Sequence, residues 1–404
     1  MTFFAEERAV SPVLGGILMF GLAVSLLILT QVSVVPAANQ QVEFEHNLGV
    51  QEDFERFQGS ATRVSASGAP ETVDVDLGVR YPNRFFLVNP TPVSGSLQTE
   101  ETNVTLSNVA AVNDETNDYF GTQNGEFIYP TSRLVYESNY NQYNNAPVTV
   151  YENGVTFSEY DGATIVKGGT PIVDDGDITL LLLDGDVSES GVETSSVSIR
   201  SEATVVQRIA ITNATNAPIT ITLDTRLPQS EWKAFRNQTA DVTAVTFPSP
   251  DKVTLKLNPD RDYTLRVARL TIGENAPSQS VAYVTSVGTP VSSTPSQSAV
   301  TYTIEVRDRY NNPVSGETVV ASASAGATFT DRSGDVDDSI QSGTTDEDGR
   351  WSVTVLGTAS DRKSVTVQMG VPASGATIID DTDDASYVEY NLEFLPTITE
   401  ADLG

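Results

Sequence analysis

Carboxylates are the side chains in this sequence that could bind a metal ion or carry acid–base catalysis. They cluster in four short stretches: Asp174, Asp175 and Asp177; Asp184 and Asp186; Asp335, Asp337 and Asp338; Asp380, Asp381, Asp383 and Asp384. Calcium takes about six to eight oxygen ligands from a loop that wraps the ion, and no stretch matches the EF-hand spacing. Glycoside hydrolysis needs two carboxylates facing one cleft, and no such pair stands out. We therefore interpret the stretches as solvated acidic loops, and predict no metal, cofactor or catalytic residue.

Histidine and cysteine offer little further chemistry. The chain has one histidine, His46, and no cysteine, so disulfides and thiolate metal sites are excluded. A catalytic triad or a histidine zinc site needs a histidine held beside its partners. His46 lies in a predicted helix close to an apolar segment, and we interpret it as a solvated or capping residue. A P-loop, a dinucleotide fingerprint and a G-x-S-x-G elbow are also missing from the sequence, which favours a non-enzymatic protein.

Three N-x-[ST] sequons are the remaining candidate modification sites. They begin at Asn103, Asn213 and Asn237. In an exported protein such sequons are candidate glycosylation acceptors. The chain is rich in threonine and asparagine, so chance occurrence is the alternative.

The segment from Val13 to Leu29 determines where these residues would act. It reads VLGGILMFGLAVSLLIL, with Ser25 as its one polar residue. A membrane-spanning helix needs about 20 mostly apolar residues, whereas a soluble core helix is rarely apolar on every face. The segment therefore predicts a helix that lies in a bilayer or among other helices. The following residues are acidic, with no arginine before Arg56, which favours an exterior C-terminal side.

The residues before this segment form a second pattern. Residues 6–9 read Glu-Glu-Arg-Ala, and residues 10–19 read VSPVLGGILM. This resembles the leader of archaeal type IV pilin-like proteins, in particular haloarchaeal ones, in which R-A or R-G precedes S-P-V-[IL]-G-x-I-L-M. The resemblance implies cleavage between Ala9 and Val10 by a prepilin peptidase. It also implies a mature helix that serves as membrane anchor or as filament core beside other pilin subunits.

One position departs from the wider pilin pattern, and another export route stays open. Bacterial pilins carry a glutamate early in the mature helix, where this chain has Pro12. A cleaved secretory signal peptide fits poorly, because the apolar part is too long and residues 31–34 offer no small-x-small site. An uncleaved signal anchor remains the alternative.

The net charge of the chain limits which classes of molecule it can bind. The formal net charge is −31, and only five of the 23 basic residues are lysine. Such an acidic surface repels nucleic-acid phosphates, so we predict no nucleic-acid partner. Acidity spread over the whole chain, with lysine scarce, resembles proteins of salt-loving archaea, where a Debye length of about 3 Å at 1 M salt screens the repulsion.

After the apolar segment, Pro36 predicts an interruption of the helix. Phe44, Leu48, Val50, Phe54 and Phe57 then form an amphipathic helical stripe. From Thr72 onward the apolar residues alternate with period two, and Asn153-Gly154 predicts a hairpin. Further strands are predicted at Ile178–Leu183, Val205–Thr212, Ile219–Leu223, Val253–Leu257 and Tyr263–Ile272. Residues 228–238 predict a short helix capped by Ser230, and residues 83–145 predict long loops between short strands.

The C-terminal part carries a second resemblance. Residues 286–298 form a Ser/Thr/Pro stretch, which we interpret as a linker. Then a strand runs into D-x-x-x-N-P-V-x-G at residues 308–316, and T-D-E-D-G at residues 345–349 opens another strand. This resembles bacterial immunoglobulin-like repeats of the invasin and intimin type, which implies a β-sandwich with turns at Asn312-Pro313 and Asp348-Gly349.

Together these patterns predict a mainly β protein with a long N-terminal α-helix. Its predicted parts are a leader (1–9), a transmembrane or pilin-type helix with its amphipathic extension (10–63), a β-rich head (64–285), a linker (286–298), an immunoglobulin-like β-sandwich (299–395) and a tail (396–404). The predicted function is that of a non-enzymatic archaeal cell-surface protein, either a subunit of a type IV pilus-like filament or a pilin-anchored adhesin. A signal-anchored structural envelope protein is one alternative, and an exported hydrolase that uses acidic residues in the predicted loops of residues 83–145 is the other.

Overall fold

The computed structural model confirms the mainly β fold with a long N-terminal helix. It describes residues 11–85, 87–203, 206–273, 279–296, 298–330, 339–358, 361–372 and 386–396, the side chains of residues 11 and 12 excepted. The predicted cleavage site at Ala9 and Val10, the acidic stretches at 335–338 and 380–384, and the predicted tail beyond Pro396 lie outside these residues.

The N-terminal part is one continuous helical rod. It consists of α1 (Ser11–Leu29), a π-helical turn (Thr30–Val34) and α2 (Val35–Ser67). Proline lacks an N–H group, and its ring crowds the carbonyl four residues earlier. The wider π turn directly before Pro36 accommodates this residue, so the predicted interruption is a π turn rather than a break. Gly68 ends the rod beyond residue 63, with φ of 71°.

Two short helices follow, α3 (Asp114–Thr122) and α4 (Gln229–Arg236). In α4 the N-cap position is held by Pro228, and no side chain caps the helix. The predicted cap Ser230 is therefore wrong, because the N-cap position lies two residues earlier, at Pro228 with its extended backbone.

The first sheet of the head is built around a long central strand. Its strands are β1 (Glu71–Asp76), β3 (Val109–Ala111), β8 (Val173–Asp174), β9 (Asp177–Asp184), β11 (Thr194–Ser201), β12 (Arg208–Asn213) and β16 (Tyr263–Ile272). The order is β1-β11-β16-β12-β3. Strand β9 runs parallel to β16, and β8 pairs with β9.

The second sheet of the head corrects the prediction for residues 83–145. Its strands are β2 (Gly95–Ser107), β4 (Glu126–Ser138), β5 (Val148–Glu152), β6 (Val155–Tyr160), β7 (Ala163–Gly169), β10 (Ser188–Gly191), β13 (Thr220–Asp224), β14 (Val242–Ser249) and β15 (Lys252–Leu257). The order is β14-β15-β13-β2-β4-β5-β6-β7, with β10 beside β2. Thus β2 and β4, of 13 residues each, lie inside the sheet where loops were predicted.

Buried threonines explain why β2 and β4 escaped the sequence pattern. Thr102 and Thr131 point inward, where an apolar residue would mark the alternation. Thr131 Oγ1 accepts a hydrogen bond from the Leu183 N–H at 2.9 Å, which compensates its burial. By contrast, the predicted hairpin at Asn153-Gly154 is present, with φ of 49° and 84° at these residues.

The second half of α2 belongs to the core of the head. Val50, Phe54 and Phe57 are each fully buried, in a cluster with side chains from both sheets. The first two residues of the predicted stripe are different, because Phe44 and Leu48 are 40% and 39% exposed. The stripe is therefore confirmed only from Val50 onward.

The C-terminal part is a sandwich of two sheets around its own apolar core, as predicted for an immunoglobulin-like module. One sheet has the order β17 (Tyr283–Ser286), β19 (Ala299–Arg307), β23 (Arg350–Gly357), β21 (Ala327–Thr330). The other has the order β18 (Ser293–Pro295), β25 (Tyr387–Leu395), β24 (Lys363–Gly370), β20 (Thr318–Ala323), β22 (Ile340–Thr344).

The segment predicted as a linker contributes to this sandwich. Strand β18 pairs in parallel with β25, and β17 pairs with β19. Pro295 is tolerated because β18 lies at the edge of its sheet. The stretch from 286 to 298 is thus tied to both sheets, and the other domain boundaries stay predictions.

The sandwich also packs directly on the head. The rings of Tyr119 in α3 and Tyr283 in β17 stack with centroids 4.7 Å apart. The Arg309 guanidinium donates to the Ile128 carbonyl at 2.6 Å, and Tyr310 is buried in the core cluster of the head. Aromatic and polar contacts therefore join the two parts.

Two aspartates of the sandwich build matching turns in different surroundings. Asp308 Oδ1 accepts from the N–H groups of Tyr310 and Asn312, each at 2.8 Å. Asp346 Oδ1 accepts from those of Asp348 and Arg350, at 3.0 and 2.8 Å. Asp308 is buried whereas Asp346 is exposed. Burial raises the pKa of Asp308 to about 6, against the opposing effect of its two turn hydrogen bonds.

This difference predicts a pH-dependent effect of Asp308→Asn. The raised pKa means that the stabilising contribution of protonated Asp308 is complete below pH 4 and is lost as the pH rises through 6. Relative to the parent, Asp308→Asn should gain about 2 kcal/mol of unfolding free energy between pH 4 and pH 8. Denaturant unfolding at both pH values measures this gain. The matched control is Asp346→Asn in the exposed turn, and equal trends in both variants would contradict the prediction.

Candidate functional site: the junction between the apolar helix and the head

Helix α1 presents apolar side chains on its whole surface. Leu18, Met19 and Phe20 are 69%, 75% and 73% exposed. The helix spanning 13–67 contains an 18-residue window of mean hydropathy 2.4 in which no share is buried by the described chain. By length and composition, this helix is able to cross a membrane.

Near its start, α2 has a buried face that consists mostly of polar side chains. The buried residues at spacing four are Val35, Asn39, Glu43, Asn47 and Gln51. Buried polar groups need hydrogen-bond partners, and the Gln51 amide donates to Asn47 Oδ1 at 2.6 Å. Because most of this face is polar, a search for apolar periodicity misses it; helical spacing of Asn, Glu and Gln was the available signal.

Glu43 is the centre of this face and is fully buried. Its carboxylate accepts hydrogen bonds from the backbone N–H groups of Asn141, Gln142 and Tyr143, at 3.0, 2.8 and 2.6 Å. The Tyr81 hydroxyl also donates to it. Burial, and then this hydrogen bond, raise the pKa of Tyr81 to about 12, so the hydroxyl stays a donor at neutral pH. One carboxylate thus holds two loops on the helix.

The first of these loops, residues 80–85 and 87–92, we call the descending loop. The backbones of Val79 and Val93 close its base through two hydrogen bonds of 3.0 Å. Past Tyr81, the Arg84 guanidinium donates to Asn39 Oδ1 at 2.7 Å. Asn39 lies one helical turn nearer to α1 than Glu43, so the loop runs along the helix towards α1.

The lowest contact of the descending loop is made by Gln31 in the π turn. The Gln31 amide donates to the Val88 carbonyl at 2.8 Å and accepts from the Val88 N–H at 3.0 Å. This pair of bonds satisfies both backbone groups of Val88, and it places Val88 beside the end of α1.

His46 has a different role from the predicted one. It is half-buried, and its Nδ1 lies 2.7 Å from the Tyr140 hydroxyl. Burial lowers the pKa of His46. It is therefore neither solvated nor a helix cap, because the loop after β4 folds over it and covers the ring.

The sequons occupy three different settings. Asn103 is exposed on β2, and Asn237 is exposed at the C-cap of α4. Asn213 is half-buried, and its amide donates to the Pro259 carbonyl at 2.7 Å. The accessible side chains of Asn103 and Asn237 fit the glycosylation prediction better than Asn213 does, and all three stay predictions.

One aspartate of each acidic stretch in the described part of the chain pairs with an arginine. Asp175 lies 3.0 Å from Arg261, and Asp184 lies 2.8 Å from Arg269. Among the described residues, no group of three or more His, Cys, Asp or Glu side chains is placed to hold a metal ion.

The hydrolase alternative relied on acidic residues within 83–145. There, Glu100 forms ion pairs with Arg133 and Arg226 at 2.9 and 3.4 Å. These contacts give Glu100 a structural partnership on the sheet surface, which lowers its availability for acid–base chemistry.

Part of the chain is similar in sequence to an archaeal protein. No protein-family profile matches the chain. An uncharacterized protein of Archaeoglobus fulgidus is 27% identical over 211 residues, covering 44% of this chain. The chain spans only 36% of the length of that relative.

Similar solved structures include surface proteins, at low structural similarity. The D0–D1 domain of intimin is 14% identical, with coverage of 72% of this chain and 99% of that chain and a TM-score of 0.21. Invasin, described as a bacterial integrin-binding protein, is 12% identical, with coverage of 82% and 58% and a TM-score of 0.20. Domains 4 and 5 of the S-layer protein SbsC are 16% identical, with coverage of 35% and 64% and a TM-score of 0.19. With TM-scores this low, these similarities carry no argument.

The Glu43 contacts predict a local loss of order in Glu43→Gln. The amide NH2 group would face N–H donors, leaving buried donors unpaired at a cost of about 2–3 kcal/mol. We expect faster hydrogen exchange at residues 141–143, measured by mass spectrometry on the full chain. The control is Glu45→Gln. Glu45 is exposed two residues later, on the opposite side of the helix, and its partner is the Gln41 side chain. Unchanged protection in Glu43→Gln would contradict this role.

Proposed function

We propose that this chain is a non-enzymatic archaeal cell-surface protein, either a pilin-like subunit of a type IV pilus-like filament or an adhesin anchored by the same helix. The observation that carries the proposal is the continuous rod of α1, π turn and α2. One end of this rod is apolar and uncovered by the described chain, and the other end is buried in the head.

The dimensions of the rod support a membrane or filament location. The 19 residues of α1 span about 28 Å at about 1.5 Å per residue, which matches the hydrocarbon thickness of about 30 Å. The acidic head and sandwich stay in water, since charges are costly in lipid. Head and sandwich are then displayed on one side of the membrane, and we propose that this is the outside.

The leader pattern supports processing by a prepilin peptidase between Ala9 and Val10. We expect mass spectrometry of protein from an archaeal host to give Val10 as the first residue. A bulky Ala9→Phe substitution should block cleavage by preventing access of the scissile bond, whereas the control Glu6→Gln should be processed normally. A retained Met1 with Ala9 intact, or a cut near Val35, would refute the pilin-type route.

The signal-anchored structural envelope protein remains a second candidate function because of Pro12. This residue stands where bacterial pilins carry the glutamate used in assembly. Shearing of intact cells separates the two functions. Recovery of the chain in a sheared filament fraction supports a filament subunit, whereas recovery only in membranes supports an anchored protein.

A further inference from the structure

The tip of the descending loop exposes large apolar side chains. Phe85 is 92% exposed and Val88 is 75% exposed, with Leu87 half-buried between them. Single exposed apolar residues are common on proteins. Here, however, they occur together at the end of a loop that the rest of the head holds in place.

Gln31 fixes the height of this tip along the rod. Its two hydrogen bonds to the Val88 backbone tie the tip to the π turn. Gln31 lies two residues beyond Leu29, the last residue of α1. If α1 spans the hydrocarbon, Gln31 lies at the boundary between acyl chains and headgroups, and Val88 lies at the same depth.

The charged part of the loop lies further from α1. Arg84 contacts Asn39, which is eight residues beyond Gln31, or about 12 Å along the helix. Arg80, nearer to the base of the loop, pairs with Glu193. Within the loop, Arg84 therefore lies further from α1 than Val88 does.

We propose that Phe85, Leu87 and Val88 insert into the interfacial region of the bilayer that holds α1, as a second membrane contact of the head. The proposal rests on the proposed membrane location of α1. The chain has a net charge of −31, which opposes attraction of the head to anionic headgroups. An apolar insertion of this kind works without it.

The absence of cysteine from the sequence makes a direct test feasible. Single-cysteine variants Phe85→Cys and Val88→Cys of the full chain would carry nitroxide labels in phosphatidylcholine vesicles. Electron paramagnetic resonance then compares collisions with oxygen, which partitions into lipid, and with a water-soluble nickel chelate. Leu22→Cys, in the middle of α1, reports on the anchor itself.

Ile165→Cys supplies the matched aqueous control. Ile165 is 47% exposed on β7, a strand that ends at Gly169 directly before Thr170, which contacts Gln58. Gln58 lies about 40 Å along the rod from Gln31. We expect labels at 85 and 88 to show an oxygen-to-nickel collision ratio several-fold above that at 165. Gln31→Leu should reduce the ratio at 88 by releasing the loop.

The outcomes separate the inference from the function on which it rests. A label in lipid at 22 with aqueous labels at 85 and 88 overturns the loop insertion and leaves the anchor intact. An aqueous label at 22 overturns both. Dipolar broadening at 88 that disappears on dilution with unlabelled protein would show that a second copy covers the tip, which also overturns the insertion.

Discussion

The continuity of the helix through residues 11–67 is the constraint on which the rest of the structure depends. A helix satisfies its backbone hydrogen bonds internally, so it can pass from an apolar environment to a protein core without exposing unpaired groups. Its side chains must then change with the environment. They are apolar on all sides in α1, polar on one buried face around Glu43, and apolar on one buried face from Val50 onward.

The parts of the fold that were predictable are those in which one face is uniformly apolar or a turn has a required conformation. The apolar run of α1, the strand Tyr263–Ile272 and the hairpin at Asn153-Gly154 belong to this group. In each, the local physics is enough, since burial or positive φ selects the residue types without reference to distant parts of the chain.

The parts that were not predictable depend on partners far away in the sequence. Thr131 reads as a surface residue until Leu183 supplies its hydrogen bond, and Glu43 reads as a solvated carboxylate until residues 141–143 surround it. Likewise, β18 reads as a linker because the strand it pairs with, β25, lies about 100 positions later. The contacts between the start of α2 and the loops of the head were not predicted, because polar side chains make them and a search for apolar periodicity does not detect these.

The π turn has a consequence for rotation about the helix axis. In an α-helix each residue advances the bearing by about 100° and the height by only about 1.5 Å. Adding or removing one residue in Thr30–Val34 would therefore rotate α1 by about 100° about the helix axis and shift it by only about 1.5 Å along that axis. Such a rotation would not change the contacts of α1 with lipid, because α1 is apolar on all sides. The hydrogen bonds between Gln31 and the Val88 backbone, however, depend on the rotation. These hydrogen bonds therefore fix the rotational orientation of α1, and of each of its side chains, relative to the head.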